Sequence, residues 1–235
     1  KNMLINGLVW MGEEQFMKTQ IEEKLTKGFS CIKLKIGAID FEKELGLLRF
    51  IRQNFNAKTI EIRVDANGAF NPSEALYKLN QLVEFELHSI EQPIKDNQLQ
   101  EMKLLCQQTP FPIALDEELI GVFGIENKRK LLEEIQPQYI ILKPSLVGGF
   151  KGTLEWISIA ESLNIGWWIT SALESNIGLN AITQFTYTLN NQMPQGLGTG
   201  GLYTNNFDCP LEIEKGHIQY NVQMHWDISN LGISL

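Results

Sequence analysis

Short apolar segments alternate with longer amphipathic segments along almost the whole chain. In the short segments apolar residues are continuous or fall at every second position, which predicts strands, whereas a spacing of three or four predicts helices. The predicted strands cover residues 4–10, 31–36, 60–65, 88–91, 112–115, 139–143, 166–171 and 195–198. The predicted helices cover residues 13–27, 40–54, 71–86, 98–108, 125–134, 149–163 and 175–189.

This alternation of strand and helix predicts an α/β fold with parallel strands, and about eight such units in a row close into a barrel. We interpret residues 1–235 as one barrel domain, because no linker or low-complexity segment interrupts the pattern. A doubly wound sheet is the alternative, although no Gly-rich loop follows the first strand. The residues after 200 are expected to be irregular and to close the end or side of the barrel.

Composition restricts the class of partner. The chain has 20 basic and 28 acidic residues, a net charge of −8, which argues against nucleic acid or an anionic membrane surface as a partner. The three cysteines lack metal-type spacing and favour a reduced, cytoplasmic protein, while the oligomeric state stays open. Because the chain begins at Lys1, close to a core strand, we expect residues upstream to be missing.

Two lysines lie on the second predicted strand, at positions 33 and 35. Their side chains leave the strand by the same face, whereas Ile32, Leu34 and Ile36 occupy the other. Buried charges are costly unless they are compensated, so this pair indicates chemistry rather than packing. A solvent-facing pair on an edge strand is the structural alternative.

Polar residues recur at the ends of six successive predicted strands, 25 to 30 residues apart: Lys35, Asp65, Glu91, Asp116, Lys143 and Ser171. In a barrel this spacing brings all six to the carboxyl-end rim, where barrel enzymes keep their active sites. Three converging carboxylates repel one another unless a cation lies between them, and oxygen ligands suit Mg²⁺. Three unrelated helix-capping acids are the alternative interpretation.

The sequence has only three histidines, and none lies at a strand's carboxyl end, so a zinc site is not expected. We expect a substrate carboxylate to bind Mg²⁺ with its α-carbon between Lys35 and Lys143, so that the metal stabilises the enediolate formed when the α-proton leaves. A lysine base needs a pKa lowered from about 10.4 toward ~7–8. Lys33 is expected to supply the like charge that lowers it.

These residues resemble the enolase superfamily, and specifically its muconate-lactonizing subgroup. The resemblance lies in the motifs Lys33-x-Lys35, DANGAF with Asp65, EQP with Glu91, LDEE with Asp116, and LKPS with Lys143 followed by Gly148-Gly149. It implies a modified TIM barrel of the (β/α)7β type, with Mg²⁺ or Mn²⁺ as the cofactor. It also implies a separate N-terminal capping domain, which is expected to be missing from this chain.

Within the subgroup, the segments INGLVWMG, DANGAF, SALES and GLGTG are similar to a family of menaquinone biosynthesis. This resemblance implies a hydro-lyase that catalyses the Mg²⁺-assisted syn dehydration of 2-succinyl-6-hydroxy-2,4-cyclohexadiene-1-carboxylate, a small-molecule carboxylate. It implies that Lys35 removes the α-proton and then protonates the departing hydroxyl on the same face. Lys143, still charged, would stabilise the intermediate from the other face.

The same residues also bear on other activities of the enolase superfamily. Residues 196–200 read GLGTG and lack the Asp-x-Asp of dipeptide epimerases, and no His–Asp pair of the mandelate racemase type is available. N-succinylamino acid racemisation stays open, because two lysines can deliver protons to either face. A non-catalytic barrel that keeps the metal as a structural element also stays open.

Roles are also expected for five further residues. Asn67 could contact substrate or only form a turn, and Ser171 could bind a remote carboxylate or only begin a helix. Arg63 is expected to pair with the acids from the layer behind them. Trp167 and Trp168 are expected to pack.

Overall fold

The computed structural model describes residues 2–229, in which a curved parallel sheet is surrounded by helices. The strands are β1 Asn2–Leu4, β2 Gly7–Val9, β3 Cys31–Lys35, β4 Glu61–Asp65, β5 Ser89–Glu91, β6 Ile113–Leu115, β7 Tyr139–Leu142, β8 Gly166–Ile169, β9 Leu211–Glu214 and β10 His217–Tyr220. The α-helices are α1 Glu14–Thr26, α2 Phe41–Asn54, α3 Pro72–Leu82, α4 Leu99–Gln108, α5 Ile125–Ile135, α6 Gly149–Ser162 and α7 Asn176–Thr188. Short 3₁₀ helices cover Val83–Phe85 and Glu117–Leu119.

Local sequence signals position several helix ends. The Asp40 side chain accepts a hydrogen bond from the Glu42 backbone N–H at 3.1 Å, so it caps α2 as its position predicts. Pro72 occupies the first position of α3, where its missing N–H has no cost. An α-helix follows each of the strands β2 to β8 at a short distance, and parallel pairing requires such connections.

Strands β2 to β8 pair in sequence order and all in parallel, so the predicted barrel is confirmed. Closure comes from an eighth segment at residues 195–196. Gln195 bridges to Ile5, before β2, and Gly196 bridges to Thr170, after β8. The predicted strand 195–198 is therefore reduced to two isolated bridges, which nevertheless join the first and last strands of the sheet.

Two expectations at the chain ends were wrong. The predicted first strand, 4–10, is shortened to β2, and Leu4 instead ends a separate strand, β1. The segment after residue 200, expected to be irregular, forms a β9–β10 hairpin that pairs with β1 in a three-stranded antiparallel sheet. Its turn at Lys215 and Gly216 has φ values of +48° and +72°, which matches the twist of a hairpin. The backbone N–H of Ile5 donates to Gly216 O at 2.9 Å, which places the hairpin at the amino end of the barrel strands.

The apolar core has two parts. The larger lies between the sheet and its helices, and a smaller one fills the barrel interior with Ala114, Ile141 and Trp168, against Tyr139 and Met193. Trp167 and Trp168 are both buried, which confirms the expectation that they pack. Among residues 2–229, none of the helices has the length and apolar character needed to traverse a bilayer.

Candidate active site at the barrel mouth

Three buried acids lie at the carboxyl ends of neighbouring strands. Asp65 and Glu91 are the last residues of β4 and β5 and are direct partners across that pair, and Asp116 follows β6. Their exposed fractions are 0%, 2% and 1%, respectively. The period of two along each strand turns these side chains into the barrel rather than toward the helices. The structure therefore brings the three acids predicted from strand spacing to one end of the barrel.

Lysines surround the acids. Lys33 Nζ lies 2.9 Å from Asp65 Oδ2 and also makes an ion pair with Glu91 Oε2. Lys35 Nζ lies 2.6 Å from the same Asp65 oxygen, and Lys143 Nζ makes an ion pair with Asp116 Oδ2. Lys33 is thus a partner of two carboxylates rather than only a like charge beside Lys35.

The charged groups of this site shift one another's pKa values. Burial, and next the negative charge of Asp65, raise the pKa of Glu91 well above its ordinary value. Burial by itself would also raise the pKa of Asp65. The positive charges of Lys33 and Lys35 outweigh this effect, so the pKa of Asp65 is lowered. For Lys33 burial opposes the charged form, yet Asp65 and Glu91 more than offset this, so its pKa is raised. Lys33 is therefore held as a cation.

The three acids offer only oxygen atoms as ligands for a metal ion. In the part of the chain that the structure describes, no group of three or more His, Cys, Asp or Glu side chains is arranged to hold a metal as it stands. The ammonium groups of Lys33, Lys35 and Lys143 contact the carboxylates instead. Yet the buried Oε1 of Glu91 accepts no hydrogen bond from any described residue, whereas Oε2 pairs with Lys33. The all-oxygen donor set fits a hard divalent cation, which Asp65, Glu91 and Asp116 could hold in place of ammonium contacts.

A cavity of about 260 Å³ opens beside these groups. Its wall includes Lys33, Lys35, Glu91, Lys143, Leu146 and Ser171, and also Asn6, Leu8, Trp10, Thr170, Ala172, Leu173, Gly196, Gly198 and Thr199. Lys35 and Lys143 come from β3 and from the end of β7, so amines from separate strands border one space. This arrangement can place a small molecule between two amines and next to a carboxylate.

Asn67 and Ser171 both lie at the mouth of the barrel, but they have different hydrogen-bond partners. Asn67 Oδ1 accepts a hydrogen bond from Lys35 Nζ at 2.6 Å, and its amide group donates to Glu117 Oε1 at 2.8 Å. Asn67 also has a φ of +43°, as expected of a turn residue. Ser171 lines the cavity, yet its hydroxyl donates to Glu174 Oε2 at 2.6 Å in the turn before α7.

Arg63 does not pair with the three acids, which corrects the expectation for this residue. It faces the barrel interior one layer below Asp65, because it lies two residues earlier on β4. Its Nε donates to Glu61 at 2.7 Å, its Nη1 donates to Pro194 O at 2.9 Å, and its guanidinium lies 4.2 Å from the Trp168 ring. Arg63 therefore belongs to the floor of the barrel.

The sequence interpretation missed Gln92. This residue is fully buried, has a φ of +38°, and its Oε1 accepts the backbone N–H groups of Asp116 and Glu118 at 3.2 and 3.4 Å. It thereby anchors the backbone on which the third acid lies. The available signal was a polar residue directly between a strand end and Pro93.

Comparisons with known proteins agree with this geometry. Residues 17–223 match the family described as Enolase C-terminal domain-like. The chain is 57% identical over 216 residues to the o-succinylbenzoate synthase of Desulfotalea psychrophila, with 92% of this chain and 58% of that protein covered. It also matches the crystal structure of MenC from Desulfotalea psychrophila with a TM-score of 0.86 and 55% identity, covering 93% of this chain and 60% of that one.

An N-succinylamino acid racemase of Thermus thermophilus is more distant. It is 33% identical over 159 residues, which cover 67% of this chain and 40% of that protein. The chain thus spans less than two thirds of the length of each of these relatives.

Proposed function

The chain belongs to the Enolase C-terminal domain-like family, and from this premise we propose that the natural protein carrying it is an o-succinylbenzoate synthase. It would dehydrate 2-succinyl-6-hydroxy-2,4-cyclohexadiene-1-carboxylate to 2-succinylbenzoate, as a hydro-lyase of menaquinone biosynthesis. The identity of 57% to such a synthase over 92% of this chain supports the assignment. The observation that carries it is the position of Lys35 and Lys143 on one cavity beside buried acids.

Enzymes of the enolase superfamily generally depend on a divalent metal. We propose Mg²⁺ here, with Mn²⁺ as a substitute, held by Asp65, Glu91 and Asp116. Their all-oxygen chemistry supports this proposal, and so does the buried Glu91 Oε1, which has no hydrogen bond to any described residue. When bound, the cation would supply Lewis-acid stabilisation of the negative charge that develops on the substrate carboxylate.

The proposed base is Lys35. Its amine, in the neutral form, removes the α-proton and returns it to the hydroxyl oxygen on the same face, so that water leaves and a carbon–carbon double bond forms. The hydrogen bond to Asn67 Oδ1 supports this role, because it holds the Lys35 amine beside the cavity. Lys143 keeps its proton, because burial is outweighed by the charge of Asp116 and its pKa is raised. Its positive charge would stabilise the developing negative charge from the other side.

Lys33 is proposed as the residue that neutralises Asp65 and Glu91 and positions them, a role supported by its two ion pairs. Asn67 and Ser171 are proposed as substrate contacts, since Asn67 touches the Lys35 amine and Ser171 lines the cavity. A net charge of −8 supports a small-molecule substrate rather than nucleic acid or an anionic membrane. The three buried, unpaired cysteines support a cytoplasmic location.

The test is the dehydration followed by ultraviolet absorbance, in the natural protein that contains this chain. Replacing Lys35 by alanine should lower kcat by about 10² to 10⁴, the usual contribution of a general base. Lys58→Ala, on an exposed lysine before the start of β4 and so at the opposite end of that strand from Asp65, is the control and should leave kcat unchanged. Full activity of Lys35→Ala would exclude Lys35 as the base.

N-succinylamino acid racemase is the second candidate, favoured by the 33% identity to such an enzyme and by the two lysines on one cavity. Exchange of the α-proton of an N-succinylamino acid in D₂O would support it, and no exchange would remove it. Stabilisation of the fold by Mg²⁺ without turnover of either substrate would instead indicate a non-catalytic barrel.

A further inference from the structure

Two buried polar atoms on the cavity wall lack hydrogen bonds to any residue that the structure describes. They are Asn6 Oδ1 and Thr199 Oγ1, on side chains that are 4% and 5% exposed. Both residues line the cavity that Lys35 and Lys143 border. Because buried polar groups are nearly always hydrogen-bonded, two such atoms on one cavity indicate a bound group that satisfies them.

Both residues lie where the barrel closes. Asn6 immediately precedes β2, and its backbone N–H donates to Gln195 O at 2.9 Å. The closing segment then continues to Thr199, and a Cβ placed on Gly198 would lie 3.6 Å from Asn6 O. The backbones of these two segments therefore run beside each other, and both residues line the same cavity. They lie apart in the sheet from β4, β5 and β6, which carry the three acids.

The donor and acceptor properties of the pair restrict the ligand. Asn6 Oδ1 can only accept a hydrogen bond, whereas the Thr199 hydroxyl can donate and accept. A carboxylate or ketone oxygen also only accepts, so neither would satisfy Asn6 Oδ1. A hydroxyl group satisfies both atoms, because it donates its hydrogen to Asn6 and accepts one from Thr199.

Resting on the proposed function, we propose that Asn6 and Thr199 bind the substrate hydroxyl that leaves as water. In that reaction the α C–H bond breaks and its proton moves to Lys35 Nζ. The C–O bond then breaks as the proton passes to the hydroxyl oxygen, and the C–H electron pair becomes the new double bond. Asn6 and Thr199 hold the oxygen through both steps and orient it toward the lysine that protonates it.

The experiment compares near-isosteric apolar variants of the natural protein, Asn6→Leu and Thr199→Val. Each should lower kcat/KM for dehydration about tenfold, as expected for the loss of a hydrogen bond to a substrate hydroxyl. The dissociation constant of 2-succinylbenzoate, the product without this hydroxyl, should stay unchanged in calorimetry. Thr183→Val is the matched control, since the Thr183 hydroxyl is also buried and has no hydrogen bond within residues 2–229, but lies on α7, outside the cavity.

The outcomes separate the subsite from the function. If the wild type dehydrates the substrate and both variants keep its kcat/KM, the subsite alone is overturned. A tenfold weakening of product binding in the variants would also overturn it, because it would indicate an altered cavity shape. Asn6→Leu could instead lose exchange of the α-proton of an N-succinylamino acid while its dehydration activity stays unchanged. That result would show that Asn6 and Thr199 bind an amide N–H group, and it would overturn the hydroxyl proposal. A wild-type protein that does not dehydrate the substrate would contradict the proposed function, and the subsite with it.

Discussion

Replacing Lys33 by methionine tests whether its ammonium group compensates the buried acids. Methionine keeps most of the apolar stem but removes the charge that lies 2.9 Å from Asp65 Oδ2 and pairs with Glu91. Those carboxylates are 0% and 2% exposed, so water cannot take the place of the lysine. Removing one member of a buried ion pair typically costs about 3–5 kcal/mol.

The expected loss lies at the lower end of that range. Lys35 still contacts Asp65, and Glu91, whose pKa is already raised by burial, can bind a proton. A loss of about 3 kcal/mol corresponds to a fall in Tm of about 6–12 °C for a domain of this size. The assay is thermal unfolding in chelator, repeated with Mg²⁺. The cation should raise the Tm of Lys33→Met more than that of the wild type, because it supplies the missing positive charge.

Lys128→Met is the matched control for a buried lysine away from the mouth. Lys128 is 1% exposed, and its Nζ donates to Gly152 O at 3.0 Å and to Glu155 Oε2 at 2.8 Å. This variant should lose stability as well, but Mg²⁺ should raise its Tm only as much as that of the wild type. A Lys33→Met protein as stable as the wild type, or an equal Mg²⁺ effect on all three proteins, would show that the Lys33 ammonium group does not compensate these acids.

Three further predictions concern the scaffold. Gly196→Ala should lower stability by more than about 2 kcal/mol in urea unfolding, because its Cβ would lie 2.1 Å from a threonine hydroxyl at the barrel closure. Gly201→Ala, where the added Cβ would meet no described atom within 4 Å, should be nearly neutral, and equal losses would argue against a tight closure. Burial, and next the charge of Arg63, lower the pKa of His88, so folding releases a proton and stability falls as pH drops below about 6.5. His88→Phe should reduce the Tm difference between pH 7 and pH 5, and an unchanged difference would contradict this. Gln92→Leu should weaken Mg²⁺ binding about 10- to 100-fold in calorimetry, and unchanged affinity would exclude an anchoring role.

The positions of the acids and lysines could be predicted because two periods fix them. Interior residues recur at every second position of a strand, and strand ends recur once per βα unit, so Asp65, Glu91 and Lys143 were expected at one rim. The contacts between those side chains could not be predicted. They depend on the stagger between strands, which places Lys33 against two carboxylates and Arg63 one layer lower.

The chain ends were harder to predict for a related reason. Residues 211–214 alternate apolar and polar side chains, but the turn that follows has the sequence Lys-Gly rather than a strong hairpin signal such as Asn-Gly. The partner of this hairpin, β1, lies about 200 residues earlier in the chain. Such a long-range pairing leaves no local periodic signal, so only the structure reveals it.

In the proposed active site, three strand-end acids hold one divalent cation while lysines on either side reach the carbon next to the bound carboxylate. Anomalous scattering from a crystal of the natural protein with Mn²⁺ and 2-succinylbenzoate tests this arrangement. We expect one strong peak within about 2.0–2.4 Å of oxygens from Asp65, Glu91 and Asp116, with Lys35 and Lys143 Nζ on opposite sides of the product ring. A peak held by other residues, or both amines turned away from the ligand, would contradict it.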